Sequence, residues 1–501
     1  MIFKTRAYLS LLKNHLTMIE LLQRLWPHFT AGAVLLIALL AAGHVVLYKR
    51  DSRSAVAWVG IIWLFPLGGA LLYLVFGINR IKRKASSLRS KTTQFYNDSI
   101  YKQFCIPGNF EDILSSDVTH LSMLNNIVSN ITQHRLLCGN EIVPLINGDK
   151  AYPEMINAIN SAKNSVSLAT FIFDNDSVGD LFAEALKEVV RRGIEVRVLI
   201  DHVGSRYSFP SIARKLKRSG ITVGRFMPTS VPWRTKYMNL RTHRKILVID
   251  GRLGFTGGMN IREECMLEKK PSYPVQDLHF RIKGPVVRHL QETFAEDWFF
   301  TNSEILKGPK WFPELMREGS VIARGITDGP DEDIEKTLNV ILGALSCARK
   351  SVRIMTPYFL PQSALISALS IASLRGVSID ILLPEINNLL LVGWATNAQL
   401  WQILEKGCRV YLTPPPFDHS KLMLVDEMWS LIGSANWDPR SVRLNFEFNV
   451  ECYSQELSRE LNSLFEKKLK NAKNLSLEDV DGRPLPIKIR DGVARLFTPY
   501  L

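Results

Sequence analysis

Hydrophobic and polar positions divide the chain into three stretches. Residues 29–48 form a 20-residue run without Asp, Glu, Lys or Arg, and residues 54–79 form a second run of 26. About 20 apolar residues cross the hydrocarbon core of a bilayer, so each run predicts a membrane-spanning helix. Only Lys49, Arg50, Asp51, Ser52 and Arg53 separate them, which predicts a helical hairpin. Pro66, Gly68 and Gly69 interrupt the second run and predict a kink or a re-entrant path. Residues 81–135 are mixed and polar-leaning and read as a helical linker. Beyond residue 136 strand-like and helix-like patterns alternate: strands at 141–145, 165–173 and 194–201, helices at 152–162 and 178–192. Such alternation predicts an α/β domain.

The pattern then recurs. Ala162-Lys163-Asn164-Ser165-Val166 matches Ala348-Arg349-Lys350-Ser351-Val352, and Arg192-Gly193-Ile194-Glu195-Val196 matches Arg375-Gly376-Val377-Ser378-Ile379. Each pair opens an apolar strand after a helical stretch. The soluble part is therefore read as two tandem α/β units about a pseudo-two-fold axis, preceded by a transmembrane helical hairpin. The expected segments are 1–28 (N-terminal), 29–80 (two spans), 81–135 (linker), 136–310 (first unit) and 311–501 (second unit with a C-terminal tail).

Charge and composition refine this picture. The 501 residues carry a formal charge of +14, which favours a polyanionic partner, nucleic acid or anionic lipid. The six cysteines, Cys105, Cys138, Cys265, Cys347, Cys408 and Cys452, form no C-x-x-C pair and suggest neither zinc nor a disulfide framework. Lys4, Arg6, Lys13 and Arg24 precede the first run, and Arg80, Lys82, Arg83, Lys84, Arg89 and Lys91 follow the second. The positive-inside rule places both flanks, and everything after residue 80, in the cytoplasm. A cleaved signal peptide is the alternative for the first run, weakened by the second run that follows at once.

The chemistry is duplicated too. His243-Arg244-Lys245 leads to Asp250 and then Gly257-Gly258-Met259-Asn260. His419-Ser420-Lys421 leads to Asp426 and then Gly433-Ser434-Ala435-Asn436. In both, Lys follows His by two, Asp follows Lys by five and Asn follows Asp by ten. Side chains two apart on a strand share a face, so each His points with its Lys. Asp250 and Asp426 complete the catalytic motif, but their odd offset turns them to the other face, where fixing a turn suits them better. The glycines and Asn260, Ser434 and Asn436 suit close backbone approach to an oxyanion. Two histidines and two lysines on one axis suggest phosphoryl chemistry. The lysines neutralise phosphodiester oxygens, one histidine attacks phosphorus, and the other handles the proton. No metal or other cofactor is expected. The remaining eight histidines, His202 and His279 included, are read as structural.

The paired motifs His243/Lys245/Asp250 and His419/Lys421/Asp426 resemble the H-x-K-x4-D motifs of the phospholipase D superfamily, over residues from about 136 to the C-terminus. The resemblance implies a downstream carboxylate orienting each histidine: Glu447 matches the second-copy position and Asp277 the first. It also places the nucleophile on His243 and the general acid/base on His419, an order that the residues alone leave open. Residues 49–58, with Phe65-Pro66-Leu67-Gly68-Gly69 and Leu74-Val75-Phe76-Gly77, resemble the N-terminal module of bacterial cardiolipin synthases. Arg234, Lys236, Arg241 and Arg244 form a basic approach suited to anionic headgroups.

The resemblance implies an enzyme of the bacterial inner membrane that joins two phosphatidylglycerol molecules into cardiolipin and releases glycerol, through a phosphohistidine. Its expected partners are phosphatidylglycerol and anionic membrane lipid; nucleic acid is not expected, and the oligomeric state is left open. A phospholipase D-type hydrolase and a non-catalytic membrane scaffold are the rival readings. The Leu- and Trp-rich segment 388–404 is read as a buried helix, or as one that dips into lipid. Residues 484–501 suggest no chemistry.

Overall fold

A computed structural model of the chain describes residues 2–49, 52–77, 103–104, 110–113, 116–132, 134–228, 240–330 and 335–498. Arg234 and Lys236, Cys105 and the basic flank after residue 79 lie outside the described residues. The chain divides into two compact units, Met1–Ile81 and Lys82–Leu501.

In the first unit one helix runs over Ile2–Tyr48. Its Gln23–Tyr48 part contains an 18-residue stretch with a mean hydropathy of 2.2 and is 26 residues long. At ~1.5 Å per residue that length exceeds the roughly 30 Å of a hydrocarbon core. The second apolar run does not form one helix. It is split into Ser52–Leu64, Pro66–Leu72 and a π-helical turn at Tyr73–Gly77. The break sits at Phe65, with φ −136° and ψ 78°. Pro66 lacks an N–H and disfavours helical geometry at the residue before it, which accounts for the split. Among the described residues, one helix rather than the expected two is long and apolar enough to cross a bilayer. The broken run still packs on the long helix: Ala38, Ala42 and Val45 meet Ile62 and Tyr73, and His44 Nδ1 lies 2.8 Å from the Tyr73 hydroxyl.

Among the described residues the second unit is built on a sheet of 16 strands. Outward from its middle, one half runs Leu137–Ile146, Leu278–Lys283, Leu253–Gly257, Ile246–Ile249, Ser165–Thr170, Glu195–Asp201 and Thr222–Phe226. The other half runs Val321–Asp328, Asn445–Tyr453, Trp429–Gly433, Leu422–Val425, Ser351–Met355, Ser378–Pro384 and Arg409–Thr413. The two orders are the same, so the repeat read in the sequence is a repeat of topology. The halves join where Leu137–Ile146 pairs antiparallel with Val321–Asp328, Leu137 opposite Ala323 and Asn140 opposite Val321. Ile246–Ile249 and Leu422–Val425 are buried at every position. That is why both motif strands read as unbroken apolar runs rather than alternations.

Part of the expected linker belongs to this core. Val118, Leu121, Leu124 and Val128 recur every three or four residues and pack with Leu338, Ile341 and Leu345 of helix Lys336–Cys347. The polar average of the segment hid one apolar face.

Asp250 and Asp426 do not join the histidines. Each sits past the far end of its motif strand in a left-handed conformation, φ 52° and 51°. The Asp250 carboxylate accepts the backbone N–H groups of Lys163 (2.9 Å), Asn164 (2.6 Å) and Ser165 (2.9 Å). Asp426 accepts those of Arg349 (2.8 Å), Lys350 (2.7 Å) and Ser351 (2.8 Å), and His120 Nε2 lies 2.7 Å away. The duplicated pentapeptides of the sequence are thus the loops these carboxylates hold. This corrects their place in the catalytic set: they fix the turns into strands Ser165–Thr170 and Ser351–Met355. Removing a buried acceptor strands its donors at about 1–3 kcal/mol each way. Asp426→Ala should therefore lower unfolding stability by about 2–4 kcal/mol, and Asp250→Ala, whose loop is more exposed, by less. Denaturant unfolding of the detergent-solubilised protein measures both.

Candidate active site

The halves meet at their motif segments. Arg241–Thr242 lies parallel to Asn445–Phe446, and Phe417–Asp418 lies parallel to Val275–Gln276. His243 N–H donates to the Phe446 carbonyl and His419 N–H to the Gln276 carbonyl, both at 2.8 Å. Each histidine segment is stitched to a strand of the other repeat. It precedes the motif strand proper, which starts at Ile246 or Leu422. The imidazole centroids stand 6.5 Å apart at 83°.

The orienting carboxylates are exchanged. His243 Nδ1 lies 3.0 Å from both oxygens of Glu447, a residue of the second repeat. His419 Nδ1 lies 2.7 Å from Asp277, a residue of the first. With Nδ1 occupied on each ring, Nε2 is the nitrogen left for a ligand. Lys245 Nζ donates to the His243 carbonyl at 2.7 Å, and Lys421 Nζ donates to that of His419. The structure thus brings together His243, Lys245, His419, Lys421, Glu447 and Asp277, and leaves out Asp250 and Asp426.

The small-residue turns serve this arrangement differently from the oxyanion role expected of them. A Cβ on Gly258 would lie 2.3 Å from an Asp277 carboxylate oxygen, so glycine there makes room for the carboxylate. Ser434, at the same place in the second repeat, donates its hydroxyl to Glu447 instead. Asn260 Oδ1 accepts the Ile172 N–H at 3.1 Å and holds the loop after strand Ser165–Thr170. Asn436 lines the cavity, and its Oδ1 has no hydrogen-bond partner among the described residues.

Burial governs the electrostatics. It pushes the His243 and His419 pKa values down, and the neighbouring lysines push them further, against the pull of the carboxylates. Burial brings Lys245 down to about 7 and Lys421 to about 8. Asp277 is pushed up to about 6 by burial, with Lys421 pulling the other way. Burial also acts to raise Glu447, but His243, Lys245 and Ser434 outweigh it and hold that carboxylate below its usual range. The protein's own groups therefore favour neutral imidazoles beside cations that hold their protons weakly.

Several supporting residues gave no motif signal. Asp201 accepts the N–H groups of Val203 (2.8 Å) and Thr242 (3.1 Å) and so fixes the backbone just before His243. Asp418 accepts the Ser420 N–H at 3.0 Å and pairs with Lys468. Arg244, expected among the headgroup-facing basic residues, is buried: it donates to Asp297 at 2.6 Å and to the Glu447 carbonyl at 3.0 Å. It braces the strand that bears Glu447, whereas Arg241 lines the cavity. His279 is buried on strand Leu278–Lys283, with its pKa pushed down to about 4 by burial. Among the described residues, no three His, Cys, Asp or Glu side chains are grouped as metal ligands.

Both histidines line a cavity of about 1130 Å³ with Phe171, Tyr207, Tyr358 and Phe417. Leu389, Leu390 and Leu391 form an apolar flank. Helix Leu390–Asn397 is half of the Leu- and Trp-rich segment read as a buried helix. It buries Val392, Ala395 and Thr396 but exposes Leu390.

Comparison with known proteins gives three concordant findings. The family described as "Cardiolipin synthase, PLD-like domain" matches residues 155–298 and 341–469, and "Phospholipase_D-nuclease N-terminal" matches residues 36–77. The chain is 31% identical over 471 residues to the major cardiolipin synthase ClsA of Bacillus subtilis (strain 168), covering 91% of this chain and 96% of that one. It is 30% identical over 471 residues to a cardiolipin synthase of Geobacillus kaustophilus (strain HTA426), covering 94% and 92%. Among solved structures, phosphatidylserine synthase of Haemophilus influenzae Rd KW20 superposes with a TM-score of 0.60 at 16% identity, over 75% of this chain and all of that one. At that identity the likeness is one of fold.

The lysine pKa values set a direction for anion binding. An anion favours both ammonium groups, and the protein by itself loses these as pH rises through about 7 and about 8. Sulfate, whose own charge is constant there, should bind at least about tenfold more weakly near pH 9 than near pH 6, since charge-assisted contacts are lost. Calorimetric titration checks this, and Lys245→Met/Lys421→Met should abolish the heat at either pH.

Proposed function

This chain belongs to the phospholipase D-like cardiolipin synthases, which are phosphatidyltransferases, and we propose that it joins two phosphatidylglycerol molecules through a phosphohistidine on His243. The observation that carries the reading is the 6.5 Å separation of two imidazoles, each held through Nδ1 by a carboxylate of the opposite repeat. That leaves two Nε2 atoms to work on opposite sides of one phosphorus, as an in-line displacement requires.

In the first half-reaction the Nε2 lone pair of His243 attacks the donor phosphorus. The bond from phosphorus to the headgroup glycerol oxygen breaks, and His419 Nε2–H gives that oxygen its proton. Glu447 accepts the Nδ1–H of His243 throughout and stabilises the positive charge on the ring as the P–N bond forms. Lys245 and Lys421 neutralise the non-bridging oxygens, whose charge grows in the transition state. In the second half-reaction, His419 takes the proton of a headgroup hydroxyl on a second phosphatidylglycerol. The alkoxide oxygen bonds to phosphorus, the P–N bond breaks, and cardiolipin leaves. Water in place of that hydroxyl gives phosphatidic acid; the apolar flank at Leu389–Leu391 favours a lipid acceptor over water.

Membrane association follows from the family and from the apolar helix Gln23–Tyr48. We place the catalytic unit on the cytoplasmic face of a bacterial inner membrane, with the broken segment 52–77 in the same bilayer as the long helix. Packing of Ile62 and Tyr73 on Val45 supports that placement.

Phosphatidylglycerol labelled in its phosphate, given to the purified enzyme in mixed micelles, should yield cardiolipin with release of one glycerol. Phosphatidic acid as sole product would make the protein a hydrolase, and an inert enzyme would return it to the scaffold reading. His419→Ala should accumulate acid-labile label on the protein, and His243→Ala should not; the reverse pattern would exchange the two roles. Glu447→Gln should lower kcat by about 10²–10⁴, as loss of an imidazole-orienting carboxylate does elsewhere.

A further inference from the structure

The C-terminal helix Leu485–Leu496 gave no chemical signal in the sequence, yet it presents an apolar ridge. Leu485, Ile489, Val493 and Leu496 recur at steps of four, four and three and are 69%, 58%, 50% and 76% exposed; Phe497 extends the ridge at 53%. The opposite face is the packed one: Ala494 is buried, and the fully buried Asp491 is held by Arg483 (2.5 Å) and Arg490 (2.8 Å). The Arg490 guanidinium also lies 4.4 Å from the ring centroid of Trp394, on helix Leu390–Asn397. That second helix begins in the segment that flanks the catalytic cavity, and Ile386, Leu389, Leu390 and Leu391 are 62%, 49%, 66% and 48% exposed. Two adjoining elements thus turn large apolar side chains to solvent, and one of them borders the cavity.

We propose that the ridge from Leu485 to Phe497, with the Ile386–Leu391 rim, is a docking surface for an anionic bilayer, through which lipids pass into the cavity. Two observations choose the bilayer over a protein partner. The ridge is edged by Lys488, Arg490 and Arg495, while the helix's only acid is buried and paired, so its exposed charge is cationic. An apolar face with cationic edges suits the headgroup–acyl boundary of an anionic membrane. The rim is also the wall of the cavity, so a protein seated on both elements would obstruct the entrance, whereas a bilayer supplies what the cavity admits.

The test uses the full chain in nanodiscs of equal parts phosphatidylserine and phosphatidylcholine, followed by hydrogen exchange. Amides of residues 485–497 should exchange at least about tenfold more slowly than in non-ionic detergent, and Ile489→Asp/Val493→Asp should remove the difference. In kinetics, that variant should raise the KM for phosphatidylglycerol in vesicles about tenfold with little change in kcat. Its turnover of short-chain phosphatidylglycerol below the micellar threshold should stay at the parent rate. Equal losses on both substrates would make the ridge merely structural. No loss on vesicles, or protection that follows protein concentration rather than anionic lipid, would also overturn the proposal. The kinetic arm rests on the phosphatidylglycerol reading, but hydrogen exchange does not. A wild type that makes no cardiolipin, yet shows lipid-dependent protection, would sink that reading and leave the docking surface standing.

Discussion

The exchange of carboxylates between repeats is the constraint on which the rest of the unit depends. Glu447 holds His243, Asp277 holds His419, and each histidine's backbone N–H is bound by the other repeat's strand. Neither repeat contains a complete site: alone, each would have an imidazole without its orienting partner and a buried carboxylate without its donor. An unpaired buried charge of that kind costs several kcal/mol. The central pairing of Leu137–Ile146 with Val321–Asp328 is therefore part of the site. It fixes the distance between two imidazoles that belong to separate halves.

Assembly of this site works against stability. Two lysines and two histidines share one enclosed space, and burial depresses the pKa of all four. For a lysine at about 7 in the folded chain and about 10.4 unfolded, the unfolded state binds more protons between those values. Stability then rises with pH across that window, and near neutrality each ammonium is a liability. A bound phosphodiester reverses the sign, because it supplies the charge the lysines lack. The site is thus completed by its substrate, and binding selects the protonation state that transfer needs.

Much of this was legible in the sequence because it was written twice. The H-x-K spacing, the duplicated loop pentapeptides and the apolar strands predicted two like units and named both histidines and both lysines. Asp250 and Asp426 were expected to fix a turn, and each does so, though past the end of its strand in a left-handed conformation rather than on the strand's other face. What stayed hidden was non-local. Nothing near Glu447 tells which histidine it will meet, because the crossing is decided by how the halves dock. Arg244 reads as one more exposed cation until Asp297, 53 residues later, is found beside it. The polar average over 81–135 concealed the face that buries Leu121 and Leu124. The second apolar run was long enough to span, but Pro66 divided it.

Duplication would leave the two histidines equivalent, and a two-step transfer needs them different. The structure breaks the symmetry around the two carboxylates. Where the first repeat has Gly258, the second has Ser434, whose hydroxyl binds Glu447; Asn445 Nδ2 adds a second donor at 3.1 Å. Glu447 is therefore held ionised and fixes the His243 tautomer through Nδ1, while burial keeps that ring neutral, the state a nucleophile requires. Asp277 receives no such hydroxyl, and burial, with Asp418 nearby, pushes its pKa up to about 6. Of the two carboxylates it is the more readily protonated, and the imidazole it holds is the better suited to give a proton and recover it. The difference between a glycine and a serine thus favours His243 as nucleophile and His419 as acid and base.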